Sequence, residues 1–456
     1  MGNLDMVHAF ENNGYYIVLD VNSGSIHCVD EMVYEILKAF PYGFSSSEEV
    51  IQKFKGKYDE QELIQVCEEI KELEKEGMLY TPDLDENLLW DKLENGNGVK
   101  ALCLNIAHDC NLACEYCFAS KGDYNTNRGL MSEEVAHRAL DFLAAHSGNR
   151  KNIEVDFFGG EPLLNFDVVK KAVAYGREIE KQGNKKFHFT ITTNGTLLND
   201  EIIDYLNETM DNVVISLDGR RKVNDTMRYD RGGHGSYDRI VPLARKLVEK
   251  RNGKQYYIRG TFTAKNLDFA EDVFHIADLG FNEVSVEPVV GTGSELHLNE
   301  EHIPTILAEY DKLARKYLDY VADGKELKFY HFNINLYGGP CVHRRVLACG
   351  AGFEYLAVSP EGHLYPCHQF VGHEQFIIGT VYEGIQNNDI AKHFRNCNIM
   401  TKDECKRCWA KYFCSGGCHA NAYFSNNDIY VPNELACVLQ RKRIECALMI
   451  AAAKAE

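Results

Sequence analysis

Cys110, Cys114 and Cys117 stand at C-x3-C-x2-C spacing, directly after the strand-like run Val99 to Ala107. This knuckle constrains the chain more than any periodicity does, because three thiolates must meet on one small inorganic object at the end of a strand. Three thiolates match three corners of a cubane [4Fe–4S] cluster and leave its fourth iron without a protein ligand. A bare iron asks for a ligand of its own. Zinc is the alternative, but structural zinc wants four ligands, usually as two short pairs, and no fourth ligand lies nearby in the sequence.

From Val99 to about Gly291, strand-like and helical patterns alternate. The strand-like runs are Lys100–Ala107, Ile153–Phe158, Phe187–Thr192, Val213–Leu217, Tyr256–Phe262 and Glu283–Glu287. Helical patterns fall at Ser132–His146, Phe166–Gln182, Asp238–Lys250 and Leu267–Leu279. Repeated βα units predict an α/β fold with a parallel sheet, here a partial (β/α)6 barrel, whose ligand chemistry gathers at the carboxyl ends of strands.

The motifs obey that rule. The knuckle follows the first strand, Gly159-Gly160-Glu161-Pro162 the second, Asn194-Gly195 the third and Ser216-Leu217-Asp218-Gly219 the fourth. Adjacent glycines admit a close backbone approach, and Glu161 can accept from the ammonium of a bound amino acid. Hydroxyl, amide and carboxylate groups suit ribose hydroxyls, and Arg228 can grip a carboxylate bidentately. Glu287-Pro288 closes the sixth strand at the same end of the sheet, where it can line a ligand or substrate. Taken singly, each is turn chemistry or a surface salt bridge; in sequence they describe one site.

The knuckle and its setting resemble the radical S-adenosylmethionine (SAM) superfamily. The resemblance implies a [4Fe–4S] cluster on Cys110, Cys114 and Cys117, with SAM on the open iron. It also implies Tyr116 against the adenine, and Gly159, Gly160 and Glu161 as the GGEP motif that holds the methionyl amine. Asn194 would lie near the SAM site, Ser216 and Asp218 would contact the ribose, and Arg228 would hold the carboxylate.

A second cysteine system begins past the helical stretch Glu300 to Ala322. Cys349-x12-Gly362-x4-Cys367 precedes Cys405-x2-Cys408-x5-Cys414-x3-Cys418-x18-Cys437. The block Cys405 to Cys418 alone could be a zinc knuckle. Seven ordered cysteines with the Gly-x4-Cys element resemble the SPASM domain, which implies two auxiliary [4Fe–4S] clusters and so three clusters in all. By family pattern Cys405, Cys408, Cys414 and Cys437 would bind the distal one, and Cys349, Cys367 and Cys418 the nearer one. Either Cys341 or a substrate thiolate would fill the latter's fourth position. Gly362 sits in a turn between the strand-like runs Glu354–Val358 and His363–Tyr365, a hairpin that would carry Cys367 toward the cluster.

The first 85 residues read as a small α+β unit. Tyr15–Val21 and Ser25–Val29 flank an Asn-Ser-Gly turn, helical runs follow from Asp30, Ser47 and Asp59, and Met78–Thr81 could be a final strand. A hairpin with three helices is a winged-helix-like pattern, and Gln61–Glu76 carries more Glu than Lys, unlike a DNA-reading helix. The unit resembles the RiPP recognition element, which captures a precursor's leader peptide as an added strand. The candidate edge is Ile26–Val29, with a groove along Gln61–Leu73. Residues 86–98 read as linker, 99–291 as the barrel, 292–340 as a bridging helical region and 341–456 as the SPASM domain.

Composition narrows the partners. A net charge of −19 opposes binding to nucleic-acid phosphates. No apolar run approaches a bilayer span and no secretory signal stands at the N-terminus, so a cytosolic location is expected, without a membrane partner. In a reducing compartment the 16 cysteines point to metal rather than disulfides. Within the superfamily the layout most resembles maturases of "six cysteines in forty-five" (SCIFF) peptides, which form the Cys-sulfur to α-carbon thioethers of sactionine and ranthipeptide products. That implies a cysteine-rich precursor peptide with a leader and an external donor of flavodoxin or ferredoxin type. Carbon–carbon crosslinking, epimerisation and formylglycine formation are the alternatives within the class. An electron carrier or zinc-stabilised binding module is the alternative outside it, and leaves the strand-end motifs without a purpose.

Overall fold

The computed structural model describes residues 6–83, 98–291, 293–334 and 346–455. The expected linker lies almost wholly outside the described residues, as does Cys341. The chain opens with an antiparallel sheet of β1 (Val7–Asn12), β2 (Tyr15–Asp20) and β3 (Ile26–Val29), in that order. Helices Glu31–Ala39, Ser47–Phe54 and Glu60–Lys75 follow. Asp30 and Asp59 start two of them by accepting from the freed backbone N–H groups of Val33 and of Gln61 and Glu62.

The hairpin β2–β3 and the three helices match the sequence pattern, but two features differ. Val7–Asn12 adds a strand that pairs with β2 from Val7↔Asp20 to Asn12↔Tyr15. Met78–Thr81 forms no strand: Tyr80 turns into the left-handed region at φ +52°, and Leu79 and Tyr80 pack into the core under the helices. The sheet is apolar on both faces. Val7 and Val18 face the helices, whereas Phe10, Ile17 and Leu19 join the core that contains the C-terminal helix Glu434–Ala455.

The main sheet runs β4 (Ala101–Ala107), β5 (Asn152–Gly159), β6 (Lys186–Thr193), β7 (Asn212–Ser216), β8 (Gln255–Phe262) and β9 (Glu283–Pro288), all parallel, each within about a residue of the expected bounds. A short β10 (Lys328–Phe329) joins β9. The strand order follows the chain without reversal, as in a partial barrel and unlike a doubly wound sheet. Along β5 to β9 the residues alternate. Ile153, Val155, Phe157, Ile191, Val213 and Ile258 are buried in the main core, while Phe158, Thr192, Ser216, Arg259, Thr261 and Glu287 line the cleft described below. Period two thus separates packing from chemistry.

The cysteine-rich part continues this sheet. β11 (Tyr355–Val358) lies parallel to β4, and β12 (His363–Tyr365) returns antiparallel through the turn at Gly362, whose φ is +92°. β13 (Gly379–Thr380) and β14 (Gly384–Ile385) complete the edge. With neighbours on both sides, β4 is buried at all seven positions, which explains its unbroken apolar run. None of the described helices is long and apolar enough to cross a membrane.

Candidate active site

The knuckle is a loop held by backbone. Ala113 N donates to Tyr229 O (2.8 Å) and Glu115 N to Met227 O (3.0 Å), so the segment after β7 clamps it from one side. From the other side, Gly160 N donates to Ala107 O (2.7 Å) and Glu161 N to Asp109 O (2.9 Å). That approach requires glycine. A Cβ on Gly160 would stand 2.1 Å from Asp109 O, and Gly159 combines φ +124° with a Cβ position 2.4 Å from Ala107 O. The glycine pair therefore seats the cysteine loop as well as lining the site.

The sulfurs meet one cleft of about 1100 Å³, lined by Cys110, Cys114 and Cys117 together with Tyr116, Gly159, Gly160, Asn194, Ser216 and Arg228. Cys110 Sγ accepts from Leu112 N (3.4 Å) and Asn194 Nδ2 (3.7 Å), the kind of N–H support that thiolate ligands carry in iron–sulfur sites. Burial pushes the Cys110 thiol up to about 12 and raises that of Cys114, so a bound metal would have to draw off those protons. Among the described residues, no group of three His, Cys, Asp or Glu side chains converges on a point as a single-ion site requires. A cubane places each sulfur on a separate iron, and the knuckle's donor set fits it.

Tyr116, Asp218 and Arg228 form one network. The Tyr116 hydroxyl lies 2.7 and 2.8 Å from the two Asp218 oxygens and accepts from Arg228 Nη1 at 2.8 Å. Thr261 N also donates to Asp218 (3.0 Å). Burial lifts the Asp218 carboxyl to about 6 despite Arg228 and these donors. Burial opposes the charge on Arg228 too, but Tyr116, Cys114 and Asp218 outweigh it and raise its pKa. Asp218 sits behind the cleft wall rather than in it.

Glu161 is also behind the wall, fully buried. Its carboxylate accepts from Leu163 N (3.0 Å), Thr193 Oγ1 (2.8 Å) and Asn194 N (2.7 Å), bracing the end of β5 against that of β6. Asn194 passes the brace on, donating to Asn111 Oδ1 (2.9 Å) in the knuckle. Residues that motif reading missed are Lys121, Arg259, Thr261, His368 and Gln369, all in the cleft lining. The alternation along β8 carries the signal for Arg259 and Thr261; His368 simply follows Cys367. Glu287, flagged from sequence, lines the cleft with His331 Nε2 at 3.1 Å and Arg443 Nη2 at 3.6 Å. Burial alone would raise its pKa, but these neighbours and Arg259 hold it well below the usual carboxylate range.

The sequence matches the radical SAM superfamily over residues 104–258 and the SPASM iron–sulfur cluster-binding domain over residues 349–409. An uncharacterized protein of Methanocaldococcus jannaschii is 32% identical over 223 residues, 48% of this chain and 72% of that protein. This chain belongs to the radical SAM superfamily. A cysteine-type anaerobic sulfatase-maturating enzyme of Clostridium novyi is 25% identical over 334 residues, 69% of this chain and 86% of the relative. Among solved structures, SuiB of Streptococcus suis bound to precursor peptide SuiA shares the fold, with a TM-score of 0.51, 17% identity and coverage of 96% of this chain and 100% of that one.

In this radical SAM protein Cys405, Cys408, Cys414 and Cys437 line a separate cavity of about 430 Å³. Buried Lys402 reaches Gly416 O (2.8 Å) behind it and partly offsets the burial that lifts Cys405 to about 12. Burial raises the Cys367 thiol, and Cys418 and Cys349 raise it further. Between Cys367 and the knuckle stand Phe118, Phe158 and His368, with ring centroids 5.0 to 6.4 Å apart.

Proposed function

We propose that this protein is a peptide maturase that joins cysteine sulfur to an α-carbon in a ribosomally made, cysteine-rich precursor. The observation that supports the reading is a strand-end cleft lined by Cys110, Cys114 and Cys117, with a second space lined by Cys405, Cys408, Cys414 and Cys437. Three [4Fe–4S] clusters would bind there and at the nearer auxiliary group of Cys349, Cys367 and Cys418, with Cys341 or a substrate thiolate completing the latter. Bound at the knuckle, cluster and SAM together supply one-electron cleavage of SAM and hydrogen abstraction from the substrate.

The chain's own residues do the positioning. Asn194 and the Leu112 amide steady Cys110, Gly159 and Gly160 leave room for the methionyl end, and Ser216 and Arg228 offer a hydroxyl and a cation to SAM's polar groups. Asp218 orients Tyr116 toward the adenine side. Glu161 acts on the methionyl amine from behind, through the strand ends it braces. His368 and the two phenylalanines bridge the cleft and the nearer auxiliary group along the path an electron would follow. β3 is the outer strand of its sheet among the described residues, and a leader strand would add there. A flavodoxin- or ferredoxin-type protein would deliver the electron.

The sulfatase-maturating relative supports a second reading, formylglycine formation. Anaerobic co-expression with a short cysteine-rich reading frame, followed by mass spectrometry, separates them. A thioether removes two hydrogens and one alkylatable thiol. Carbon–carbon crosslinking removes two hydrogens but keeps the thiols, epimerisation leaves the mass unchanged, and formylglycine formation from cysteine expels sulfur.

A further inference from the structure

A second, larger cavity of about 1670 Å³ meets the reaction cleft at Pro288 and Val289, which line both. β9 ends at Pro288, so the two spaces share the carboxyl end of that strand as a wall. The floor of the second space is apolar, with Leu298, Ile303, Leu435 and Val438 half-buried. Its walls carry the amide of Asn421 and the carboxylates of Glu300, Glu301 and Glu434, while the amides of Asn426 and Asn433 tie the rim together by bonding Val431 O, Pro432 O and Ser425 Oγ. No Lys, Arg or His lines it, and none of the three glutamates has an ion-pair partner among the described residues. The reaction cleft has the opposite balance: Lys121, Arg228 and Arg259 line it against Glu287 alone.

An extended polypeptide suits this trough. The Asn421 amide can pair with a backbone N–H or C=O group, an apolar floor takes every second side chain, and exposed carboxylates without an ion-pair partner attract cations while repelling acids. The trough also runs beside both auxiliary cysteine groups, since Asn421 stands one helical turn after Cys418 and Ala436 and Val438 flank Cys437. We infer that this second cavity is the track for the substrate segment next to the modified residue, and that it selects lysine or arginine side chains there and excludes acidic ones. The inference rests on the maturase reading and adds a specificity to it.

The test uses two synthetic peptides, each with a cysteine, a threonine and an N-terminal rhodamine, identical except that lysines in one are glutamates in the other. Each is titrated anaerobically into the reconstituted, SAM-loaded protein and followed by fluorescence anisotropy. The lysine peptide is expected to bind about tenfold more tightly or better, with the gap closing as salt rises. In a Glu300→Lys, Glu301→Lys double variant the preference is expected to collapse or invert, while SAM cleavage without peptide keeps its rate and so reports an intact fold. Equal binding of the two peptides, a ratio the variant leaves in place, or binding of neither would overturn the track. The maturase reading is judged separately by mass spectrometry of the co-expressed precursor. Product there without charge preference here sinks the track alone; absence of product sinks the reading itself.

Discussion

The knuckle trio and the C-terminal quartet present the same ligand atom in opposite settings. Cys110, Cys114 and Cys117 come from one short loop and open onto a cleft shared with polar groups from several strand ends. Cys405, Cys408, Cys414 and Cys437 come from two chain segments and line a smaller space of about 430 Å³, with a buried lysine behind them. The difference follows from the number of sulfurs. Three sulfurs leave a position for a second ligand, while four can complete a site by themselves. Catalytic and structural zinc sites differ in the same way.

The sharpest way to break the comparison is to remove one sulfur from each site. Cys114→Ala is expected to abolish dithionite-dependent formation of 5′-deoxyadenosine altogether. Cys408→Ala is expected to leave part of that activity but no crosslinked peptide, and full product from it would refute an essential closed site. Next in size is Gly160→Ala, which touches no sulfur. Its Cβ would lie 2.1 Å from Asp109 O, so the knuckle must shift. SAM cleavage is expected to fall about a hundredfold, the effect of ångström-scale misplacement, while the iron bound by the C-terminal cysteines stays unchanged.

These elements also show what a sequence can carry. The six parallel strands were legible because their period-two patterns are local. β1 was not legible. His8, Glu11 and Asn12 interrupt its pattern; Glu11 is exposed, and distant partners satisfy the other two, Glu445 for His8 at 3.0 Å and Asp311 for Asn12 at 2.7 Å. The site's hidden residues share that cause. Arg443 on the C-terminal helix reaches Tyr310 Oη (2.8 Å) and Glu287, a meeting that no local pattern encodes. Met78–Thr81 failed in the opposite sense: its apolar residues signalled a strand but serve as a plug for the helices.

A smaller effect probes the closed site's lysine. Lys402→Met keeps the volume but removes the cation and leaves Gly416 O without its donor. The expected loss is about 1–3 kcal/mol of stability, read as a lower Tm, and a more negative auxiliary reduction potential in an EPR-monitored titration. SAM cleavage should be untouched, because nothing in the open cleft contacts Lys402. A matching fall in that activity would mean that the two sites are not separable in the way their linings suggest.

The smallest effect asks what an open barrel end demands of the fold. Asp156 faces the lumen on β5, where burial first and Glu154 second lift its carboxyl to about 6, against a hydrogen bond from Thr190. A carboxyl raised in the folded state binds more protons than the unfolded chain between its ordinary value and about 6, so stability falls as pH rises through that window and is flat above it. Asp156→Asn removes the titration. The variant should therefore gain about 1–2 kcal/mol over the wild type above that window and little below it, discounted for partial exposure. Thermal midpoints of both proteins in one buffer below the ordinary carboxyl value of 3.8 and one above about pH 6 measure the difference. If the gap has the same size in both buffers, the carboxylate is not a burden on the lumen, and the openness of the cleft is carried by the backbone seating of the knuckle alone.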